Sequence, residues 1–265
     1  MKKYLFILAS IFVYCDSLDA QYLKVPIGKK FKVITESTST IEVTIMDQHQ
    51  EVTNESFAYH DLELKVITKT GYTLDLIPRR MKMKMSMMGM EQKMDTDSMS
   101  NMQSPELAAM YDLLNKPITI VMDSNKLVSK TQIKQVPALA NNSEDANRFF
   151  LFLDPANMVQ GYQWADSSIT TDLRTVNHYT VMSVTATELE LNVTTDSYIH
   201  SASKMQEMEV KQTMKGYTTA RRWYQRNNGL LSKEIATTDM TGNTETAETN
   251  SPMSLKIKSK IVVEQ

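Results

Sequence analysis

Apolar and polar residues alternate along much of this chain, most clearly between residues 31 and 45. The odd positions of this segment are apolar at both ends, as at Phe31, Val33, Ile41 and Val43, and the even positions are mostly charged or polar. Residues 35–40 are polar at every position. Because side chains point alternately to opposite faces of a strand, the segment predicts one half-buried strand, about 50 Å long at ~3.3 Å per residue.

The same period of two returns in residues 62–66, 189–193 and 253–263. Sustained alternation is typical of antiparallel sheets with one covered and one wet face. Turn residues predict hairpin connections at positions 47–50, 123–125, 227–229 and 241–243. The low glycine content, 7 residues in 265, favours long regular elements. The chain is therefore predicted to be mainly β, with long antiparallel strands in curved sheets or open half-barrels and one or two short helices.

Two segments are candidates for those helices. The first runs from Pro105 to about residue 115, capped by Ser104, with one apolar stripe that consists of Leu107, Met110, Tyr111 and Leu114. The second and weaker candidate begins at Ser143 and carries Phe149, Phe150 and Phe152 towards Pro155. An apolar stripe of this kind packs into a core or forms a lid over a cavity.

The chain is predicted to contain two related halves. Gly28 precedes an aromatic residue at the start of one alternating segment, and Gly161 does so at the start of another. We expect a first β half at residues 21–131, with its helix near 105–115, a connector at 132–157 and a second β half at 158–265. Chance similarity between the two openings is the alternative.

The first 20 residues have the three-part layout of a secretory signal peptide: a basic start at Lys2 and Lys3, an apolar run, and a polar tail ending at Ala20. An alternative makes Cys15 a lipidated first residue, and a buried hairpin is a third interpretation. The signal predicts an exported protein, in the periplasm or outside the cell, with association with the outer membrane left open. No transmembrane segment is expected in the mature chain.

The composition of the chain disfavours several kinds of site and partner. Cys15 is the only cysteine, so a chain that starts at Gln21 has no disulfide and no thiolate. The formal net charge of -2 gives no electrostatic reason to expect nucleic acid as a partner. The motifs of serine hydrolases, zinc proteases and phosphate-binding loops are absent, and the four histidines are scattered. We therefore expect neither an enzyme nor a cofactor.

Methionine is concentrated in residues 81–102, within a chain that contains 20 Met. Four of them alternate and would share one face of a strand: Met81, Met83, Met85 and Met87. Together with the stripe Leu107, Met110, Tyr111 and Leu114 they could line a cavity for a lipid or another apolar ligand, because methionine side chains adapt to varied shapes. A fully packed interior without a ligand is the alternative.

Thioethers are also soft metal ligands. A turn near Gly89 could bring Met88, Met90 and Met94 around Cu(I) or Ag(I). Basic residues form two further clusters, Arg80 with Lys82 and Lys84, and Arg221 with Arg222 before Trp223. Interleaved cations and aromatic residues can bind nucleic acid or glycans, but a solvated strand face is the preferred interpretation.

Five features occur together in this chain: a secretion signal, the opening at residues 28–33, the Met-rich segment 81–90, the segment 115–123 after a helix, and the second opening at Gly161. In this combination the chain resembles a family of secreted proteins of unknown function, mostly from Bacteroidota. This resemblance implies compartment and fold but no activity. In outline the chain also resembles the open half-barrels of periplasmic lipoprotein carriers, in which a curved sheet wraps an apolar cavity. We therefore expect a non-enzymatic exported envelope protein that binds a lipid or other apolar ligand. The alternatives are a Met-based Cu(I) or Ag(I) binder and a structural component with an envelope protein as partner.

Overall fold

The structure is a computed structural model that describes residues 25–45, 48–68, 71–98, 111–123, 126–130, 148–169, 172–205, 208–246 and 249–264. Its strands are β1 (Lys30–Ile45), β2 (Gln48–Ile67), β3 (Gly71–Met87), β4 (Met90–Asp95), β5 (Ile118–Asp123), β6 (Lys126–Lys130), β7 (Gln163–Ile169), β8 (Leu173–Val184), β9 (Glu188–Met205), β10 (Met208–Gln225), β11 (Leu231–Glu245) and β12 (Asn250–Glu264).

The strands form one 12-stranded sheet in the order β6-β5-β3-β2-β1-β12-β11-β10-β9-β8-β7, with β4 paired to the second part of β3. The pairings of neighbouring strands are antiparallel. Among the described strands β6 and β7 lie at opposite edges of this order, so the sheet is open. The prediction of a mainly β protein with long antiparallel strands is confirmed.

Strand β1 joins the two ends of the chain. It pairs with β2 on one side and with β12 on the other, where its partners run from Lys32 opposite Glu264 to Val43 opposite Met253. The predicted strand at residues 31–45 is confirmed as one continuous strand. The division of the chain into two related halves with a connector stays a prediction.

Alternation places one set of side chains from every long strand on a common face, which we call the inner face. It includes Phe31 and Val33 of β1, each 1% exposed, and Leu62 of β2 and Leu191 of β9, each 0% exposed. The main core lies at one end of the sheet, where β1, β3, β9 and β11 begin and β2, β8, β10 and β12 end. Residues from all these strands belong to one apolar cluster.

The segment before β7 closes this end of the sheet. Phe149, Phe150 and Leu153 are buried in the core, and Tyr72 of β3 packs edge-on against Phe150 with ring centroids 5.0 Å apart. The second predicted helix does not extend into residues 148–154. Their backbone pairs with the start of β11 instead, since Leu151 N–H donates to Gly229 O at 2.8 Å and Leu231 N–H to Phe149 O at 2.9 Å. A short 3-10 turn follows at Pro155–Asn157.

A buried ion triad fixes this segment to the sheet. Glu234 of β11 is 1% exposed and accepts from Arg222 Nε at 2.5 Å and from Arg148 Nη1 at 2.8 Å. Burial alone would raise the pKa of Glu234, but the two guanidinium groups hold it below its usual range. Both carboxylate oxygens are therefore occupied, as a buried charge requires.

The predicted turns have different outcomes. A turn at residues 226–228 confirms the β10–β11 hairpin. The turn predicted at 241–243 is wrong, because these residues continue β11 and Gly242 pairs with Met214 and Met253. The hairpins predicted at 47–50 and 123–125 are confirmed by the β1–β2 and β5–β6 pairings, but residues 48–50 belong to β2 and Asp123 to β5. Residues 46–47 and 124–125 lie outside the described residues. Gly28 and Gly161 adopt φ of 81° and 87°, and each donates its N–H to a strand carbonyl, Leu64 O or Val181 O, at 2.8 Å.

The first predicted helix is described only at its end. Residues 111–113 are helical, and Asn115 with φ of 63° follows in the left-handed region that ends many helices. Asn115 N–H donates to Pro78 O at 2.8 Å, which attaches this end to β3. Residues 99–110, including the predicted start of the helix, lie outside the described residues.

Candidate functional site

The inner face changes character along the strands. Beyond the core it carries a belt of small polar side chains, among them Ser37, Ser39, Ser56, Asn54, Thr218, Thr238, Thr195 and Asn177. Cross-strand hydrogen bonds join them, as between Ser37 Oγ and Ser56 Oγ at 2.8 Å and between Thr218 Oγ1 and Thr238 Oγ1 at 2.7 Å. This polar belt explains why residues 35–40 lack apolar positions on either face.

Beyond the polar belt the inner face is apolar again. We call this region the far band, and it consists of Ile41, Val52, Met85, Met87, Met90, Met214, Met240, Met253 and Leu255. Met214 and Met240 are each 6% exposed, whereas Met87 is 38% and Met90 65% exposed. The other members are half-buried. The far band is thus an apolar surface whose side chains are only partly buried by their neighbours.

The predicted Met face is confirmed in its direction but not as one uniform lining. Met81, Met83, Met85 and Met87 all lie on the inner face of β3, and their burial falls along the strand from Met81, 5% exposed, to Met87. Met81 forms a small apolar cluster with Met94 of β4, against which Met83, Ala58 and Leu114 pack. The structure therefore brings Leu114 to the first two methionines and leaves Met85 and Met87 in the far band.

The remaining residues of the predicted apolar site differ in position. The Tyr111 hydroxyl donates to the backbone carbonyls of Ser98 at 2.9 Å and Asp95 at 3.2 Å, so it attaches the helix end to the β4 segment. Leu107 and Met110 lie outside the described residues. Whether any of these residues contacts a ligand stays a prediction.

The proposed metal ligands surround a tight hairpin. Met88 and Gly89 form its turn with φ of 51° and 78°, which is typical of the two-residue turns that join twisted strands. The turn places Met87 directly opposite Met90. Met94 is buried at 4% exposure and pairs with Met83, four residues along β4 from Met90. In the described residues no group of three or more His, Cys, Asp or Glu side chains is arranged to hold a metal ion.

The basic residues opposite the Met face are paired with carboxylates. Arg80 Nε lies 2.8 Å from Asp97, Lys82 Nζ lies 3.1 Å from Asp95, and Lys84 Nζ lies 3.0 Å from Glu91. Although desolvation opposes the shift, the Asp97 N–H and the Arg80 and Lys82 side chains lower the pKa of Asp95 to about 2. These pairs fit a solvated strand face.

The second basic pair is divided between the two faces. Arg221 is on the outer face, where it bonds to Glu190 and lies 5.3 Å from the ring centre of Trp223. Arg222 is on the inner face, in the triad with Glu234. Sequence patterns could not separate these roles, because they depend on which neighbouring strand supplies the carboxylate.

Comparison with known proteins extends the description of the fold. No family model matches the chain, and no curated protein matches it. Among solved structures, lipovitellin, in a structure that describes its lipid–protein interactions, is similar with a TM-score of 0.54 and 10% identity. The match covers 91% of this chain but only 25% of the lipovitellin chain. An outer membrane channel from Pseudomonas putida F1 has a TM-score of 0.33 and 9% identity, over 91% of this chain and 97% of that one.

The likeness to lipovitellin is one of fold: an extended antiparallel sheet shared at low identity. The described part of the chain has no helix long and apolar enough to cross a membrane. The inner face of the sheet, with its far band, is the candidate site.

Proposed function

We propose that this protein is an exported envelope protein that binds a lipid or another apolar ligand on the inner face of its sheet, at the far band. The observation that carries the proposal is the partial exposure of apolar side chains on the inner face, with Met87 and Met90 at 38% and 65%. Contiguous exposed apolar surface of this kind marks ligand or partner sites. The lipovitellin-like fold supports a binding role and does not identify the ligand.

The side chains of the far band suit an apolar chain of variable shape. Six of them are methionines whose flexible thioethers fill irregular gaps: Met85, Met87, Met90, Met214, Met240 and Met253. They come from β3, β4, β10, β11 and β12, so a ligand there would contact strands from both ends of the sequence. Binding would therefore complete the burial of an apolar surface that the segment before β7 does not reach.

The polar belt beside the far band favours an amphiphilic ligand. The Asn54 side-chain oxygen and the Thr175 hydroxyl are buried and have no hydrogen-bond partner among the described residues. A buried polar atom without a partner costs about 1–3 kcal/mol, so a ligand group that bonds to it gains affinity. A hydroxyl or amide near the apolar chain of the ligand would supply that bond.

The test is native mass spectrometry of the protein purified from an envelope fraction without detergent. We expect an adduct of lipid mass that is lost on organic extraction, and we expect the extracted protein to enhance the fluorescence of N-phenyl-1-naphthylamine. A bare chain that does not enhance this fluorescence would contradict the proposal.

A pair of variants locates the site. The double substitution Met85→Gln with Met87→Gln keeps side-chain length on the inner face and should weaken binding of the probe at least tenfold. Ser86→Gln alters the residue between them, on the opposite face, and should bind as the wild type does. Equal affinity of both variants would place the ligand elsewhere.

The hairpin favours a second candidate function, Met-based binding of Cu(I) or Ag(I). Met87 and Met90 are directly paired across the turn, and Met85 lies on the same face two residues away. Directly opposite side chains have Cβ atoms about 4.5–5.5 Å apart, which lets two thioethers reach one soft ion. Titration with Ag(I) followed by native mass spectrometry should give one bound ion that Met90→Leu removes; unchanged uptake by this variant would exclude the hairpin site.

A further inference from the structure

The outer face of the second half of the sheet contains a groove of about 780 Å³. It crosses β8 to β12, and its lining includes Arg174, Tyr198, Lys215, Tyr217, Asp239 and Lys256. These side chains alternate with inner-face residues, so they lie on the face of the sheet opposite to Met85 and Met87. Met240 of the far band also contributes to the lining of the groove. Its size is in the range of about 300–1,000 Å³ typical of sites for small molecules.

Two glycines give the sheet its shape at this point. A Cβ on Gly216 would overlap the carbonyl oxygen of Asp239, and one on Gly242 would overlap that of Thr213. Gly216 pairs with the buried Met240 and Gly242 with the buried Met214. Close approach of backbones at glycine positions bends strands. The backbones of β10 and β11 therefore lie close together beneath the groove.

Two aromatic rings are exposed at the groove. Tyr198 is 47% and Tyr217 56% exposed, although tyrosine usually buries its ring. Tyr198 pairs with Lys215, and Tyr217 pairs with Asp196 on the same strand as Tyr198. The two rings are thus diagonal neighbours, roughly 7–8 Å apart at Cα level. They offer two adjacent flat apolar surfaces beside water.

Five charged groups surround these rings: Arg174, Lys215, Lys256, Asp196 and Asp239. None of the five forms an ion pair within the described part of the chain, in contrast to Arg80, Lys82 and Lys84 on the same outer face. Three cations against two carboxylates leave a local charge of +1, on a chain whose net charge is -2. The groove therefore offers donors, acceptors and a positive balance to a ligand.

We propose that this outer groove binds an acidic oligosaccharide. Sugar rings have apolar C–H faces that pack on tyrosine rings, and their hydroxyl groups donate to carboxylates such as Asp196 and Asp239. A sugar carboxylate bonds to the guanidinium of Arg174 or the ammonium of Lys215 or Lys256 in charge-assisted hydrogen bonds. The mixed lining disfavours a densely charged polyanion, which the two aspartates would repel, and the positive balance selects acidic over neutral sugars.

The experiment is isothermal titration calorimetry of the purified full chain with a hexamer of galacturonic acid, and with maltohexaose as the neutral control. We expect measurable binding of the acidic hexamer and at least tenfold weaker binding of the neutral one. Tyr217→Ala should lower affinity for the acidic hexamer at least tenfold, and Lys215→Gln should reduce the preference for it over maltohexaose.

A matched control is Ile235→Ala, which truncates a 44% exposed side chain on the outer face of β11 away from the groove lining. It should bind as the wild type does, and circular dichroism should show that all three variants are folded. Absence of binding to the acidic hexamer, or binding that Tyr217→Ala leaves unchanged, would overturn the proposal. Equal affinity for both hexamers would overturn its acidic part. Because Met85→Gln with Met87→Gln changes the other face, its effect on lipid binding is independent of these results.

Discussion

At the scale of single residues, His60 is the side chain whose charge the fold suppresses most clearly. It is 7% exposed on the inner face, between Val33 of β1 and Pro78 of β3, and its Nδ1 has no hydrogen-bond partner in the described residues. Burial lowers the pKa of His60 to about 4, against the opposing effect of the neighbouring Asp61 carboxylate. The folded protein therefore keeps this imidazole neutral at a pH where the unfolded chain binds a proton.

The first prediction concerns pH. The pKa of His60 is about 4 in the folded protein and 6.5 for an ordinary histidine side chain, as in the unfolded chain. Its contribution to stability is therefore complete above pH 6.5 and is lost as the pH falls towards 4. At 1.36 kcal/mol per pKa unit the loss is on the order of 3 kcal/mol. Urea unfolding between pH 4 and 7 should show this slope, and His60→Leu should reduce it.

His178→Leu is the matched control, because His178 is exposed and lies on the outer face of β8. It should unfold with the pH dependence of the wild type. A His60→Leu variant that keeps the full slope would show that other groups cause it.

At the scale of elements, alternation predicted which face is covered in β1, β2, β9 and β12 and in the Met-rich part of β3. Strand β1 and the odd positions of β12 follow the sequence pattern residue by residue. In β3 the inner positions change from even, at Leu74 and Leu76, to odd from Met81 onward. Arg79 is the extra residue of a bulge there, and its guanidinium bonds to Asp61 at 2.8 Å. The change of phase is visible in the sequence, but only strand pairing identifies its cause.

Glycines show where sequence reasoning failed at this scale. The pattern at residues 241–243 is that of a turn, yet Gly242 continues β11 because the backbone of β10 approaches it closely. The candidate sites, too, could be predicted only in part, because the sequence does not show which residues of neighbouring strands are paired. The Met face follows from alternation within β3, whereas the far band and the outer groove combine residues from several strands whose register no local pattern encodes.

The second prediction tests this close approach. Gly216→Ala places a Cβ against the backbone of β11, which cannot give way as a flexible side chain would. We expect a loss of about 1–3 kcal/mol in the free energy of unfolding, as overpacking typically causes. The control Thr241→Ala changes an exposed neighbour and should alter stability by less than about 0.5 kcal/mol. Equal stabilities in chemical denaturation would show that the strands can separate at this point.

At the scale of the whole molecule, the sheet joins distant parts of the chain into one core. β1 pairs with β12, and the core cluster contains Leu62 and Leu74 together with Val193 and Leu230. Such a sheet leaves no surface along which the first and second halves could separate without exposing apolar side chains. The two halves that the sequence predicts would therefore be repeats in sequence that unfold together as one cooperative unit.

The last prediction follows from this unity. Both tryptophans, Trp164 and Trp223, lie in the second half, and Trp164 stacks on Tyr179 with ring centroids 4.7 Å apart. Leu62→Ala removes a fully buried side chain from the first half and should cost about 2–5 kcal/mol. If the sheet unfolds cooperatively, tryptophan fluorescence and far-UV circular dichroism should shift to the same lower midpoint in urea. A fluorescence midpoint that stays at the wild-type value would instead show that the second half folds without the first. The pairing of β1 with β12 would then be an interface between two domains.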